Sequence, residues 1–100
     1  MNERKKEGLP MDGELIMTND ERLKQIIDVL NQLAEDTSVP RNIRKGATEA
    51  INKLMSKTEA LDVRSASANI ILDELANDPN IPLHGRTIIW NIMSQLETLK

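Results

Sequence analysis

Apolar residues in the first half of the chain recur at intervals of three and four: Leu23, Ile26, Ile27, Leu30, Leu33 and Ala34. At the helical turn angle they form one stripe roughly 160° wide, the pattern of a helix that buries a single face. Thr18 and Glu21 precede it at capping-box spacing, so each side chain can satisfy an otherwise unpaired amide at the helix start. Asp36-Thr37-Ser38-Val39-Pro40 ends it, because proline cannot continue a helix yet is well placed to begin the next. A second helix is predicted from about Arg41 to Lys57, with Ile43, Ala47, Ala50, Ile51, Leu54 and Met55 as its stripe. A third runs from about Glu59 to Asn77. Its apolar residues cover most of the circumference, which predicts a central position. Asp78-Pro79-Asn80-Ile81-Pro82 breaks the chain again, and a fourth helix runs from about Leu83 to Leu99. No strand pattern occurs. Residues 1–17 are polar, lack period and contain Gly8, Pro10 and Gly13, so they are expected to form a flexible N-terminal arm.

The chain repeats itself. At an offset of 42, Val29–Ser56 lies over Ile71–Thr98 with identities at Leu30/Leu72, Leu33/Leu75, Ala34/Ala76, Asp36/Asp78, Pro40/Pro82, Arg44/Arg86 and Leu54/Leu96. These seven identities in 28 pairs compare with roughly two expected by chance. Two copies of one helical hairpin, about 18–57 and 58–100, are therefore expected within a single domain. The pattern Leu-x-x-Leu-Ala-x-Asp, a turn, then Ile43-Arg44-x-x-Ala47-x-x-Ala50-Ile51-x-x-Leu54 resembles a HEAT hairpin, and the period falls in the window of such repeats. The resemblance implies that Asp36 and Asp78 in the turns pair with Arg44 and Arg86 in the second helices. Two hairpins are too few for an open solenoid, so the expected architecture is all-α, a compact antiparallel four-helix bundle of two duplicated hairpins.

A narrower resemblance is carried by Val39-Pro40-Arg41-Asn42-Ile43-Arg44, by Asp78-Pro79-Asn80-Ile81-Pro82-Leu83-His84, and by Arg86-Thr87-Ile88-Ile89-Trp90-Asn91-Ile92 leading to Leu96-Glu97. On these segments the region from about Asp20 to Leu99 resembles archaeal uncharacterised protein family 0147. That resemblance implies a four-helix fold and an archaeal cytoplasmic origin, and no activity.

Composition narrows the chemistry. The 100 residues include no Cys, one His and one aromatic, Trp90. Disulfides, Cys-zinc sites, iron–sulfur clusters and thiol nucleophiles are excluded. A single His84 leaves no His pair and no HExxH, and the four glycines build no phosphate-binding loop. The expectation is a protein that is not an enzyme and uses no cofactor or metal. No apolar run is long enough to span a membrane, and none has signal-peptide character, which makes a cytoplasmic location the expectation.

Several residues stand out against this background. Arg44 and Arg86 fall inside the apolar arcs of their helices and need partners or a route to water, with Asp36 and Asp78 the nearest candidates. Arg41, Arg44 and Lys45 crowd the first turn of the second helix, where cations oppose the helix dipole. Glu35 and Asp36 can offset them locally, as can an external anion such as RNA phosphate. Residues 18–57 carry seven basic and six acidic residues, against three and six in 58–100, which makes the first hairpin the better face for a phosphate backbone. A net charge of −3 and the lack of stacking aromatics argue against a dedicated nucleic-acid binder. Trp90 lies off the main stripe of the last helix and shares a flank with Leu83. It is expected either to pack at the bundle edge or to meet a second chain, since Trp is enriched in interface hot spots. His84 is expected to cap a turn, and Met55 and Met93 to fill the core. The leading expectation is a protein-interaction or scaffold module with a protein partner, a homodimer among the options. The alternative is an accessory protein of the ribosome or another ribonucleoprotein, contacting RNA through Arg41, Arg44 and Lys45.

Overall fold

A computed structural model of the chain describes residues 18–99, so the expected arm over 1–17 lies outside the described residues. Four helices follow one another: α1 (Asn19–Ala34), α2 (Arg41–Leu54), α3 (Leu61–Ala76) and α4 (Leu83–Leu96). Each of the last three ends short of the bounds expected from periodicity, because its final residues enter a tight turn: Ser56 N–H donates to Lys53 O, Asp78 N–H to Leu75 O and Thr98 N–H to Gln95 O. Only α1 has a side-chain N-cap, the reciprocal Thr18–Glu21 box. The others start on Pro40, Ala60 and Pro82, whose extended backbone sets the entry angle without a capping oxygen.

The helices close into a ring in which α1 packs on α2 and α4, and α3 packs on α2 and α4. The interior is aliphatic apart from Ser65, the one buried polar residue among the described residues, and is centred on Ile26, Leu30, Ile43, Leu54, Leu72, Ile89, Ile92 and Leu96. The offset of 42 carries α1 onto α3 and α2 onto α4 with identical bounds, so the duplication extends over the whole hairpin. The two intra-hairpin turns share their closing backbone bonds. Val39 N–H donates to Asp36 O at 3.1 Å and Ile81 N–H to Asp78 O at 3.2 Å, and both apolar side chains plug the bundle end below their turns. One expectation needs correction. α3 is not central; it occupies one corner of the ring like the other helices, and Val63 and Ile70 on its outer side face solvent.

Two glycines let helices of different hairpins approach. A Cβ on Gly46 would lie 2.5 Å from Leu75 Cδ2, whereas one on Gly85 would lie 3.3 Å from Ile81 Cγ1 and 3.9 Å from Leu33 Cδ1. Alanine in a helix is worth about 1 kcal/mol over glycine. Gly85→Ala should therefore be neutral to stabilising, since Ile81 has only tenths of an ångström to give. Gly46→Ala should be destabilising by about 1 kcal/mol net, because it displaces a buried leucine. Urea midpoints of the two variants, measured side by side, check the difference in sign.

Candidate interaction surfaces

The turn at the end of α1 and the turn at the end of α3 lie at one end of the bundle, and each holds a carboxylate. Asp36 Oδ1 accepts from Ser38 N–H at 2.9 Å and from the Ser38 hydroxyl at 2.6 Å. Asp78 Oδ1 accepts from Asn80 N–H at 2.7 Å. The second oxygen of each reaches into the other hairpin. Asp36 Oδ2 lies 3.1 Å from His84 Nε2 at the start of α4, and Asp78 Oδ2 accepts from Asn42 Nδ2 at the start of α2 at 2.7 Å. Asn42 and His84 are themselves 42 residues apart, so the two contacts are one contact made twice about a pseudo-two-fold axis. His84 thus ties one turn to the other hairpin, reaching Ser38 Oγ at 3.4 Å as well.

This arrangement overturns the expected ion pairs. Neither Arg44 nor Arg86 pairs with Asp36 or Asp78 through its carboxylate. Arg44 Nε donates to Val39 O at 3.1 Å, and Arg86 Nε donates to Ala76 O at 3.0 Å with Nη2 at 3.4 Å from Asp78 O. The carboxylates are engaged by the turn and the opposite hairpin, while the last carbonyls of the preceding segment lack amide donors and attract a cation. Sequence reasoning missed that the same position recurs four times. Arg22, Arg44, Arg64 and Arg86 each stand four residues after an N-cap. Arg64 Nη1 donates to Leu54 O at 2.9 Å, and Arg22 Nη1 donates to the Thr98 hydroxyl beyond α4 at 2.9 Å. Continuing the 42-residue offset towards the N-terminus pairs Asp20 with Asp62 and Arg22 with Arg64, which is the signal that would have found them.

The basic residues Arg41, Arg44 and Lys45 lie together at the start of α2. Arg41, Asn42, Arg44, Lys45 and Thr48 line, with Ala34, a shallow concavity of about 730 Å³ between α1 and α2. Pro40 gives α2 no side-chain cap, and its first turn has no acidic residue.

The apolar surface lies elsewhere. Leu83 is 73 % exposed and Trp90 56 % exposed, two turns apart on one flank of α4. Arg86, on that flank, reaches Ala76 O, so the flank borders α3. The duplication supplies a comparison within the molecule. The positions 42 residues before Leu83 and Trp90 are Arg41 and Thr48, and those before the exposed Val63 and Ile70 are Glu21 and Asp28. The hairpin therefore folds with polar side chains at all four places. Met55 is also exposed, which corrects its expected core role, while Met93 packs against the core. Among the described residues no three or more His, Asp or Glu side chains are grouped to hold a metal ion, and no helix is long and apolar enough to cross a membrane.

The Asp36 carboxyl is held below its ordinary value of 3.8, first by the Ser38 hydroxyl, then by the Ser38 amide, then by His84. A depressed folded value stabilises the fold fully above the ordinary value, and that contribution is lost as pH falls through the folded one. Asp36→Asn should therefore be less stable than the parent at neutral pH, and the gap should close as pH drops below about 4. Paired urea titrations from pH 7 to pH 2.5 check this; a gap independent of pH would assign the effect to shape rather than charge. Arg86→Met should cost about 1–3 kcal/mol at every pH in that range, since it strands the Ala76 carbonyl.

Comparison with known proteins agrees with this architecture. The pattern of an uncharacterised protein family, UPF0147, matches residues 11–99. A UPF0147 protein of Pyrococcus horikoshii is 52 % identical over 88 residues, covering 86 % of this chain and 95 % of that protein. One from Methanosarcina acetivorans is 48 % identical over 79 residues, covering 79 % of this chain and 81 % of that one. The crystal structure of a UPF0147 protein from Thermoplasma acidophilum superposes with a TM-score of 0.79 at 41 % identity, covering 82 % of this chain and 96 % of that one. A second crystal structure, of the unknown-function protein MMP1188, superposes with a TM-score of 0.83 at 47 % identity over 85 % of this chain and 97 % of that chain. With a family match over 89 residues and relatives near half identity across most of their length, this chain belongs to the UPF0147 family.

Proposed function

We propose that this protein is a non-catalytic, cytoplasmic interaction module that binds a protein partner through the Leu83–Trp90 flank of α4. The observation that carries this reading is the contrast between the two hairpins. The same fold position holds Arg41 and Thr48 in one copy and Leu83 and Trp90 in the other, both exposed. An exposed tryptophan seven residues from an exposed leucine forms a helical strip of the kind that anchors a protein interface. Packing within the bundle does not require it.

A second reading is supported by the concavity at the start of α2. Arg41, Arg44 and Lys45 converge there beside an uncapped helix N-terminus, an arrangement compatible with phosphate contacts from RNA. It predicts affinity that falls steeply with salt.

One capture experiment separates the readings. Tagged full-length chain is incubated with lysate of the source organism, with and without nuclease, beside a Leu83→Gln/Trp90→Gln variant and an Arg41→Glu/Lys45→Glu variant. All four substitutions lie on the surface and should alter stability by no more than about 0.5 kcal/mol each. The interaction reading expects partners that survive nuclease and are lost only with the α4 variant. Partners lost with nuclease and with the α2 variant would replace it with the ribonucleoprotein reading. Because Trp90 is the sole aromatic, its emission should shift to the blue when such a partner is added.

A further inference from the structure

A different concavity lies at the opposite end of the bundle from the Asp36 and Asp78 turns, where α1 begins, α2 ends and α3 begins. It encloses about 460 Å³ and is lined by Leu23, Ile27, Leu54 and Met55, by Lys24, Lys57 and Arg64, and by Asp20. The second hairpin shows how the same corner is closed. The positions 42 residues beyond Leu23, Ile27 and Lys57 are Ser65, Asn69 and Leu99. Leu99, just beyond α4, is buried in the core, and Ser65 is buried too. In the first hairpin that leucine is replaced by the exposed Lys57, and Leu23 and Ile27 are left half-buried. The cations distinguish the two corners as well, since Lys24 and Lys57 stand where the second hairpin has Ala66 and Leu99. Among the described residues Lys24, Lys57 and Arg64 form no ion pair. Arg64 donates through Nη1 to Leu54 O at 2.9 Å, and its Nε is buried without a hydrogen-bond partner.

We propose that this groove binds a phosphate monoester of an aliphatic alcohol, with the chain on Leu23, Ile27 and Met55 and the phosphate at Lys24, Lys57 and Arg64. The duplication argues for the chain. One hairpin buries its own aliphatic side chain at the position the other leaves open, and an aliphatic ligand supplies the missing apolar surface. Its length follows from α1, along which Asp20 and Ile27 stand about 11 Å apart, the span of about eight to ten carbons. The volume lies within the range of small-molecule sites. Charge argues for the head group. The lining sets three cations against the one carboxylate of Asp20. A phosphate monoester carries about −1.5 to −2 at neutral pH and balances that excess, whereas a carboxylate carries half of it. The guanidinium fork and the two ammonium groups both suit phosphate oxygens.

The test titrates full-length protein, isotope-enriched at Leu, Ile and Met methyls, with monomeric n-decyl phosphate at neutral pH. Decanol, decanoate and inorganic phosphate are titrated in parallel. Decyl phosphate should shift the methyls of Leu23, Ile27 and Met55 and leave Leu83 at the far end unmoved. Decanol and inorganic phosphate should each bind at least about tenfold more weakly, and decanoate about fivefold more weakly. Lys24→Gln/Lys57→Gln, at two exposed positions, should lower the affinity for decyl phosphate about tenfold. Lys57→Leu tests the chain separately. It restores the leucine of the second hairpin, so it should raise the urea midpoint by filling the corner and weaken binding beyond the effect of Lys57→Gln. No shift at the three methyls, or shifts centred on Leu83 and Trp90, would overturn the site. Equal affinities for decanol and decyl phosphate, or an unchanged affinity in the double lysine variant, would overturn the role of the cations. Decanoate binding as tightly as decyl phosphate would overturn phosphate as the head group. Lys57→Leu binding as well as Lys57→Gln would overturn the placement of the chain.

Discussion

Two helices of fourteen to sixteen residues joined by a six-residue connection cannot keep an aliphatic stripe out of water alone, and this constraint shapes everything else. The chain meets it by presenting the same hairpin twice and closing the two stripes on each other. The interior contains no aromatic side chain, so close approach of backbones takes the place of bulk. Gly46 against Leu75 and Gly85 near Leu33 show how the contact is made, with the leucine that ends the first helix of one hairpin seated on a glycine in the second helix of the other.

The polar groups at the helix ends follow from that closure. Each intra-hairpin turn satisfies its aspartate with one local donor set and one donor from across the pseudo-two-fold axis. The arginines, deprived of those carboxylates, turn to carbonyls that the ends of segments leave without partners. The exchange is favourable on both sides: a carboxylate takes several hydrogen bonds without deep burial, and the guanidinium of Arg86 sits at the negative end of the α3 dipole. The latch is also a registration device. Asn42 and His84 can reach Asp78 and Asp36 together only when the hairpins are aligned along their lengths.

Duplication within one chain separates what folding demands from what it merely permits. Where the copies agree, as at Leu30/Leu72 or Arg44/Arg86, the residue serves the bundle. Where they differ in polarity on an exposed or half-open site, the bundle is indifferent and another demand has set the side chain. By that criterion the copies diverge at an equivalent pair of exposed places, the basic start of α2 with Arg41 and Thr48 and the Leu83–Trp90 flank of α4.

The three- and four-residue spacing of apolar positions, the two proline turns and the 42-residue repeat were enough by themselves to define four helices, their order and their pairing into hairpins. These are local properties, set by backbone sterics and by the period at which apolar residues must recur to share a face. The off-stripe position of Leu83 and Trp90 was also legible from their angle on the helix, but not that this flank is left uncovered. The partners of the charged and polar residues were not. Asp36 and Arg44 are close along the chain, yet Asp36 is taken by His84 of the opposite hairpin at 3.1 Å, and Arg44 turns to the Val39 carbonyl instead. The same limit hid the exposure of Met55 and of the outer face of α3, since apolar spacing records which side chains could be buried and not which neighbours arrive to bury them. Only the closed bundle decides that, because hydrogen bonds and burial are set by distances between segments far apart in the chain.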